Sequence, residues 1–233
     1  MHGGSVATLD PTIRSDLAAA HADAWKWLVS AGTWWSARER RALAAAAMKA
    51  MWSADAPPPW AGEDDVAAFV GDDMQHAPAA AHVATVRMAR HPSTITAQWH
   101  RTVADALGEL AYVELVGIVC VVAAVTSLRR SLGLEVPALA DPGDAPATRA
   151  EGPATAAAKL NWVPVAAPAD GTAAVVQALT AVPDANRALW SLADVQYIPD
   201  EEMVDPRWTR GTLSRPEMEL VAVSVSAGRE CHY

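Results

Sequence analysis

Glu219 and Cys231 are the two residues whose types and spacing best suit chemistry in this chain of 233 residues. Glu219 lies in an apolar run and Cys231 follows twelve positions later, ahead of His232 and Tyr233. A cysteine works as a nucleophile only as its thiolate, so a base or a helix N-terminus has to lower its pKa. A carboxylate brought to the same pocket can accept and relay a proton. His232 has two readings, a group that assists Cys231 or simply a residue near the end of the given sequence. Attack of a thiolate on a peroxide gives a sulfenic acid, which a neighbouring thiol condenses into a disulfide. A Cys-x-x-Cys pair would need its second cysteine at the position after Tyr233. The expectation is therefore that the chain as given is impaired in peroxide turnover. One account is a following UGA codon read as selenocysteine; the competing account is a frameshift or a fragment.

Helices have to position these groups. Hydrophobic residues make up 52% of the chain, with many Ala and Trp and a single Phe. Ala is the best helix former and lets helices approach closely, so an all-α fold is expected. The net charge of −9 argues against a nucleic-acid surface. Two distant cysteines make no disulfide framework, and Met1-His-Gly-Gly-Ser5 lacks the features of a signal peptide, so a cytoplasmic protein is expected. The segment Leu110–Leu128 is nearly apolar enough to span a membrane. It carries Tyr112 and Glu114 and stands alone, which favours a buried helix and no membrane partner.

The expected helices are 15–30, 36–52, 63–70, 79–90, one from Thr94 or Thr96 to Gly108, 109–132, 173–179, 183–194 and one opening at Ser214. Ser15 is read as the cap of the first and Gly32 as its end. Ser36-Ala-Arg-Glu39 and Ser214-Arg-Pro-Glu217 both read as capping boxes. Each is preceded by a Trp-bearing helix, and the shared register sets Arg41 opposite Glu219 and Ser53 opposite Cys231. That suggests an internal repeat whose first copy lacks the reactive residues, the alternative being that capped Ala-rich helices resemble each other by composition. Residues 137–168, rich in Pro and Ala, read as a linker or as a loop crossing a surface.

Several residues receive bland readings. Cys120, among Val and Ile, reads as an inert core thiol. His76, His82, His91 and His100 have no metal-ligand spacing, so no metal is expected. Glu114 requires an Arg from another helix or chain, because an unpaired buried carboxylate is costly. The tryptophans at helical spacing read as packing and interface anchors.

The stretch Glu219-Leu-Val-Ala-Val-Ser-Val-Ser-Ala-Gly-Arg-Glu-Cys231-His-Tyr resembles the core of the AhpD-like superfamily, which includes alkylhydroperoxidases and carboxymuconolactone decarboxylases. Val182-Pro-Asp-Ala-Asn-Arg-Ala-Leu189 is similar to the helix preceding that core, and Ala111 to Pro137 to the long helix that closes the domain. The resemblance implies one AhpD-like domain at 10–140 without the redox motif, a linker at 141–168, and the first half of a second domain at 169–233. It implies a homo-oligomer that reduces organic hydroperoxides without a bound cofactor. A thiol or lipoyl-bearing protein would supply electrons, and Cys231 would be the resolving thiol. The alternatives are a decarboxylase-type member, which needs no cysteine pair, and a non-catalytic helical oligomer.

Overall fold

In a computed structural model, described for residues 13–150, 152–153, 155–156, 162–166 and 174–228, the chain is all-α. Its helices are α1 (Ser15–Trp27), α2 (Ala37–Trp52), α3 (Glu63–Val70), α4 (Ala79–Arg90), α5 (Ala97–Leu107), α6 (Glu109–Ser131), α7 (Ala174–Gln177), α8 (Pro183–Gln196) and α9 (Arg215–Gly228). A two-residue antiparallel pair joins Thr155–Ala156 to Val165–Ala166.

Local chemistry accounts for most helix ends. The Ser36 box forms in both directions: the Glu39 amide donates to Ser36 Oγ, and Glu39 Oε2 accepts from the Ser36 amide at 2.7 Å. In the second box, Glu217 Oε2 accepts from both the amide and the hydroxyl of Ser214, each at 2.7 Å. Thr96, not Thr94, caps α5, accepting from the Trp99 amide. Gly108 (φ 90°) and Gly133 (φ 70°) bracket α6 in the left-handed region that glycine tolerates.

The expected boundaries of α1 need correction at both ends. Ser15 is its first helical residue and Arg14 occupies the cap position; Asp16 Oδ1 accepts from the Leu17 amide instead. The helix closes at Trp27, where Ser30 Oγ donates to the Lys26 carbonyl. Gly32 does not end it.

α6 is the central element. Leu115, Ile118, Val121 and Val122 are completely buried, each contributing about 1.5–3 kcal/mol of transfer free energy. α2, α4, α5 and α8 pack around it. By length and apolarity α6 matches a membrane span, yet 67% of its most apolar window lies inside the fold. α8 rests on α1 and α6, and its Ala188 and Leu192 belong to the same core as Leu43, Leu115 and Ile118. The contact is close at Gly117, where a Cβ would lie 2.9 Å from Ala185 Cβ.

Residues 137–150 form a strap with no helical period. Leu139 enters the core, the Ala37 amide donates to the Ala145 carbonyl, and the Thr148 and Arg149 amides donate to the carbonyls of Gly32 and Thr33 at 2.9 Å. Arg38 pairs with Asp144. Trp25 and Trp35 are buried anchors as expected, whereas Trp60 is 82% exposed. Trp162 is also exposed, its ring 6.1 Å from that of His100.

Candidate functional site

Cys231 and His232 lie outside the described residues, so Glu219 is the expected site residue whose surroundings are defined. It sits one turn into α9. Tyr197 Oη donates to Glu219 Oε2 and Arg215 Nε donates to Glu219 Oε1, both at 2.6 Å. These charge-assisted bonds, the tyrosine first and the arginine second, hold the Glu219 carboxyl below its ordinary pKa. Burial and the same hydrogen bond push the Tyr197 phenol up to about 12. The tyrosine thus keeps its proton at neutral pH while the glutamate is ionised.

Gly228, the last described residue of α9, lies nine positions beyond Glu219. At 1.5 Å per residue that is roughly 13 Å along the axis. No residue of α9 is buried, and Leu220, Val221, Val223 and Val225 are all more than half exposed.

A second polar cluster lies in the interior. Arg40 of α2 and Glu114 of α6 have fully buried side chains. Arg40 Nε and Nη2 both donate to Glu114 Oε1, at 3.2 and 2.7 Å, and Nη2 also donates to Asp184 Oδ2 of α8 at 2.8 Å. Arg40 Nη1 donates to the Trp27 carbonyl, and the guanidinium lies 3.9 Å from the centroid of the Trp27 ring. The Trp27 indole N–H donates to Asp184 Oδ2, and the Trp34 amide to Glu114 Oε2. Every strong group has a partner, as a buried ion pair requires.

Gly32 exists for this cluster. A Cβ there would lie 1.9 Å from Glu114 Oε1 and 2.0 Å from Arg40 Nη2. A cavity of about 290 Å³ opens over it, lined by Gly32, Trp34, Thr148, Asp184 and Arg187 among others.

Glu114 therefore has the arginine its burial demanded. Its lone position in an apolar run was the signal; nothing nearby in sequence pointed to Arg40, Asp184 or Tyr197. The two positions matched to the reactive pair are also defined. Arg41 pairs with Asp73 at 3.2 Å, and Ser53 is the C-cap of α2. Burial pushes the Cys120 thiol up to about 11, which suits an inert residue. Among the described residues, no group of three or more His, Cys, Asp or Glu side chains is placed to hold a metal ion.

Comparison with protein-family models, with curated proteins and with solved structures finds no match.

Proposed function

We propose that the chain is a thiol-based oxidoreductase of the AhpD-like kind, with Cys231 as its redox group. The observation that carries this reading is the state of Glu219: a carboxylate at the motif's expected position, oriented by two short hydrogen bonds and ionised. The Ser36 capping box forms in both directions and Glu217 reaches back to Ser214, which supports the likeness between the two capped helices. Although the resemblance gives Cys231 the resolving role, it is the cysteine of the motif present in this chain, so in the proposed reaction, with impaired turnover, its thiolate attacks the distal oxygen of an organic hydroperoxide. The O–O bond breaks, the alcohol leaves with a proton, and the sulfur becomes a sulfenic acid. A donor thiol, free or on a lipoyl-bearing protein, then forms a mixed disulfide and water is released. Glu219, with His232, is assigned to proton transfer in these steps, in a reducing compartment such as the cytoplasm.

The test is alkylation of the native protein with iodoacetamide across mildly acidic to mildly basic pH, read by peptide mass spectrometry. Cys231 should react with a midpoint well below the reference of about 8.5. Cys120 serves as the slow internal reference because its thiol titrates near 11. A Cys231 as sluggish as Cys120 removes the redox reading.

One observation favours a second reading, a non-catalytic helical oligomer: the four large apolar side chains exposed on α9. A helix so rich in valine has little intrinsic stability in water and gains it from burial. Sedimentation of the native chain separates the readings. An assembly disrupted by Leu220→Lys, together with an inert Cys231, supports the second.

A further inference from the structure

The cavity over the buried cluster has no part in the redox reading. Three separate stretches of chain build it: the α1–α2 loop through Gly32, Thr33 and Trp34, the strap through Thr148, and the start of α8 through Asp184 and Arg187. Its volume of about 290 Å³ stands at the lower edge of the roughly 300–1,000 Å³ that small-molecule sites occupy. The walls are tied down. The Thr148 and Arg149 amides donate to the Gly32 and Thr33 carbonyls, and the Trp34 amide donates to Glu114. Asp184 is held through Oδ2 by Arg40 and by the Trp27 indole. A cavity already fixed in this way loses little conformational freedom when a ligand enters.

The groups left free around it are mainly donors. The Arg187 side chain is 74% exposed, and it approaches Asp184 Oδ1 no nearer than 3.5 Å. Among the described residues, the hydroxyls of Thr33 and Thr148 have no hydrogen-bond partner. Arg149 adopts the left-handed backbone, φ 52°, which is uncommon for a residue other than glycine. Its guanidinium lies over the Trp34 ring, 5.3 Å from the centroid. Beneath the floor the charges of Arg40 and Glu114 offset one another. Among the described residues around the opening, two guanidiniums therefore face one carboxylate, and that carboxylate is already engaged with Arg40. A planar guanidinium with unused donors matches the two oxygens of a carboxylate. An indole beside it suits an apolar or aromatic body. A phosphate dianion would double the repulsion from Asp184.

We infer that this cavity is a binding site for a small organic monocarboxylate, with the carboxylate on Arg187 and the Thr148 hydroxyl and the apolar part against Trp34.

The probe is benzoate, titrated into the full chain by isothermal calorimetry, with benzamide as its neutral isostere and inorganic phosphate as the competing anion. Benzoate should bind at one site per chain and shift the indole N–H resonance of Trp34, and benzamide should bind at least tenfold more weakly. Arg187→Gln alters an exposed side chain and leaves the core intact; it should weaken benzoate at least fivefold. Thr148→Val keeps the shape of the side chain and should weaken it about twofold. Arg38→Gln removes the same charge from an exposed position outside the cavity lining and should leave binding unchanged. Thermal unfolding of each variant checks that it is folded. Absence of saturable benzoate binding overturns the inference, as does benzamide binding equally well. Equal losses in Arg187→Gln and Arg38→Gln overturn it too, because the attraction would then be to net charge alone. Phosphate binding more tightly than benzoate removes the assignment to a monocarboxylate.

Discussion

The chain contains two arginine–carboxylate clusters, each with an aromatic partner, in opposite surroundings. The buried Arg40 and Glu114 meet the partly exposed Asp184 beside Trp27. Arg215 and Glu219 meet beside Tyr197 on a helix open to solvent. The donor–acceptor chemistry is similar and the consequences differ. In the interior the cost of desolvating the charges nearly cancels their attraction, so the pair adds little net stability while the loss of one member is severe. At the surface water replaces whatever is removed, and an ion pair contributes about 0–1 kcal/mol. The first cluster ties α2, α6 and α8 together and tolerates the loss of no member. The second governs the state of one carboxylate.

The sharpest way to break the comparison is Arg40→Met. It leaves Glu114 charged and unpaired in the core, at an expected cost of about 3–5 kcal/mol. For a chain of this size that is a fall in Tm of roughly 10 °C, measurable by calorimetry. Replacing Arg40, Glu114 and Asp184 together by Met, Met and Asn should recover much of the loss. A triple variant as unstable as the single one would contradict the account of the buried cluster.

Gly32→Ala should come next. Its Cβ displaces the ion pair from its seat, at a cost of about 1–3 kcal/mol by overpacking alone. Equilibrium denaturation with urea gives the value. Asp184→Asn keeps the shape but weakens two charge-assisted bonds, so about 1–2 kcal/mol is expected. Its amide exchange should quicken along α8 before α2, because α8 is the element that Asp184 ties down.

Tyr197→Phe should cost the least, below about 1 kcal/mol in global unfolding. Its effect belongs to the acid range. Glu219 is ionised with a lowered folded pKa, so its contribution is complete above the unfolded value near 4.5 and is lost as pH falls through the lower folded value. Amide exchange on α9 should accelerate in that window in the native chain, and at a higher pH in the variant. The core responds earlier. Burial holds His21 neutral with its pKa lowered to about 4 from 6.5, so its contribution is complete above 6.5 and is lost as pH falls toward 4. In His21→Phe the loss of global stability between those values should shrink.

What the sequence disclosed follows the range of the interactions. Capping boxes, the Pro and Gly stops and the bounds of α3 and α4 were legible because each rests on residues within one helical turn. The need of Glu114 for a cation was legible too, since one carboxylate in an apolar helix admits few solutions. The identity of that cation was not: Arg40 lies 74 positions away and looks like any arginine in a capped helix. Gly32 was misread because a glycine after a helix usually serves as its cap; here the missing side chain makes room for two others. The strap was legible as irregular but not as a set of hydrogen bonds to 32, 33 and 37. The Tyr197–Glu219–Arg215 contacts had no local signature, because Tyr197 stands 22 positions upstream at the end of a different helix.

The placement of α8 bears on how the protein is made. α6 leaves the ribosome with its Val113 and Gly117 side open, and residues 132–182 must be synthesised before α8 can cover it. At about 5–20 residues per second, that wait lasts several seconds. During it the nascent chain presents a long apolar helix that an insertion machinery or a holding chaperone can bind. Early pairing of Glu114 with Arg40, both already translated, would bury the acidic residue and retain the helix in the folding domain.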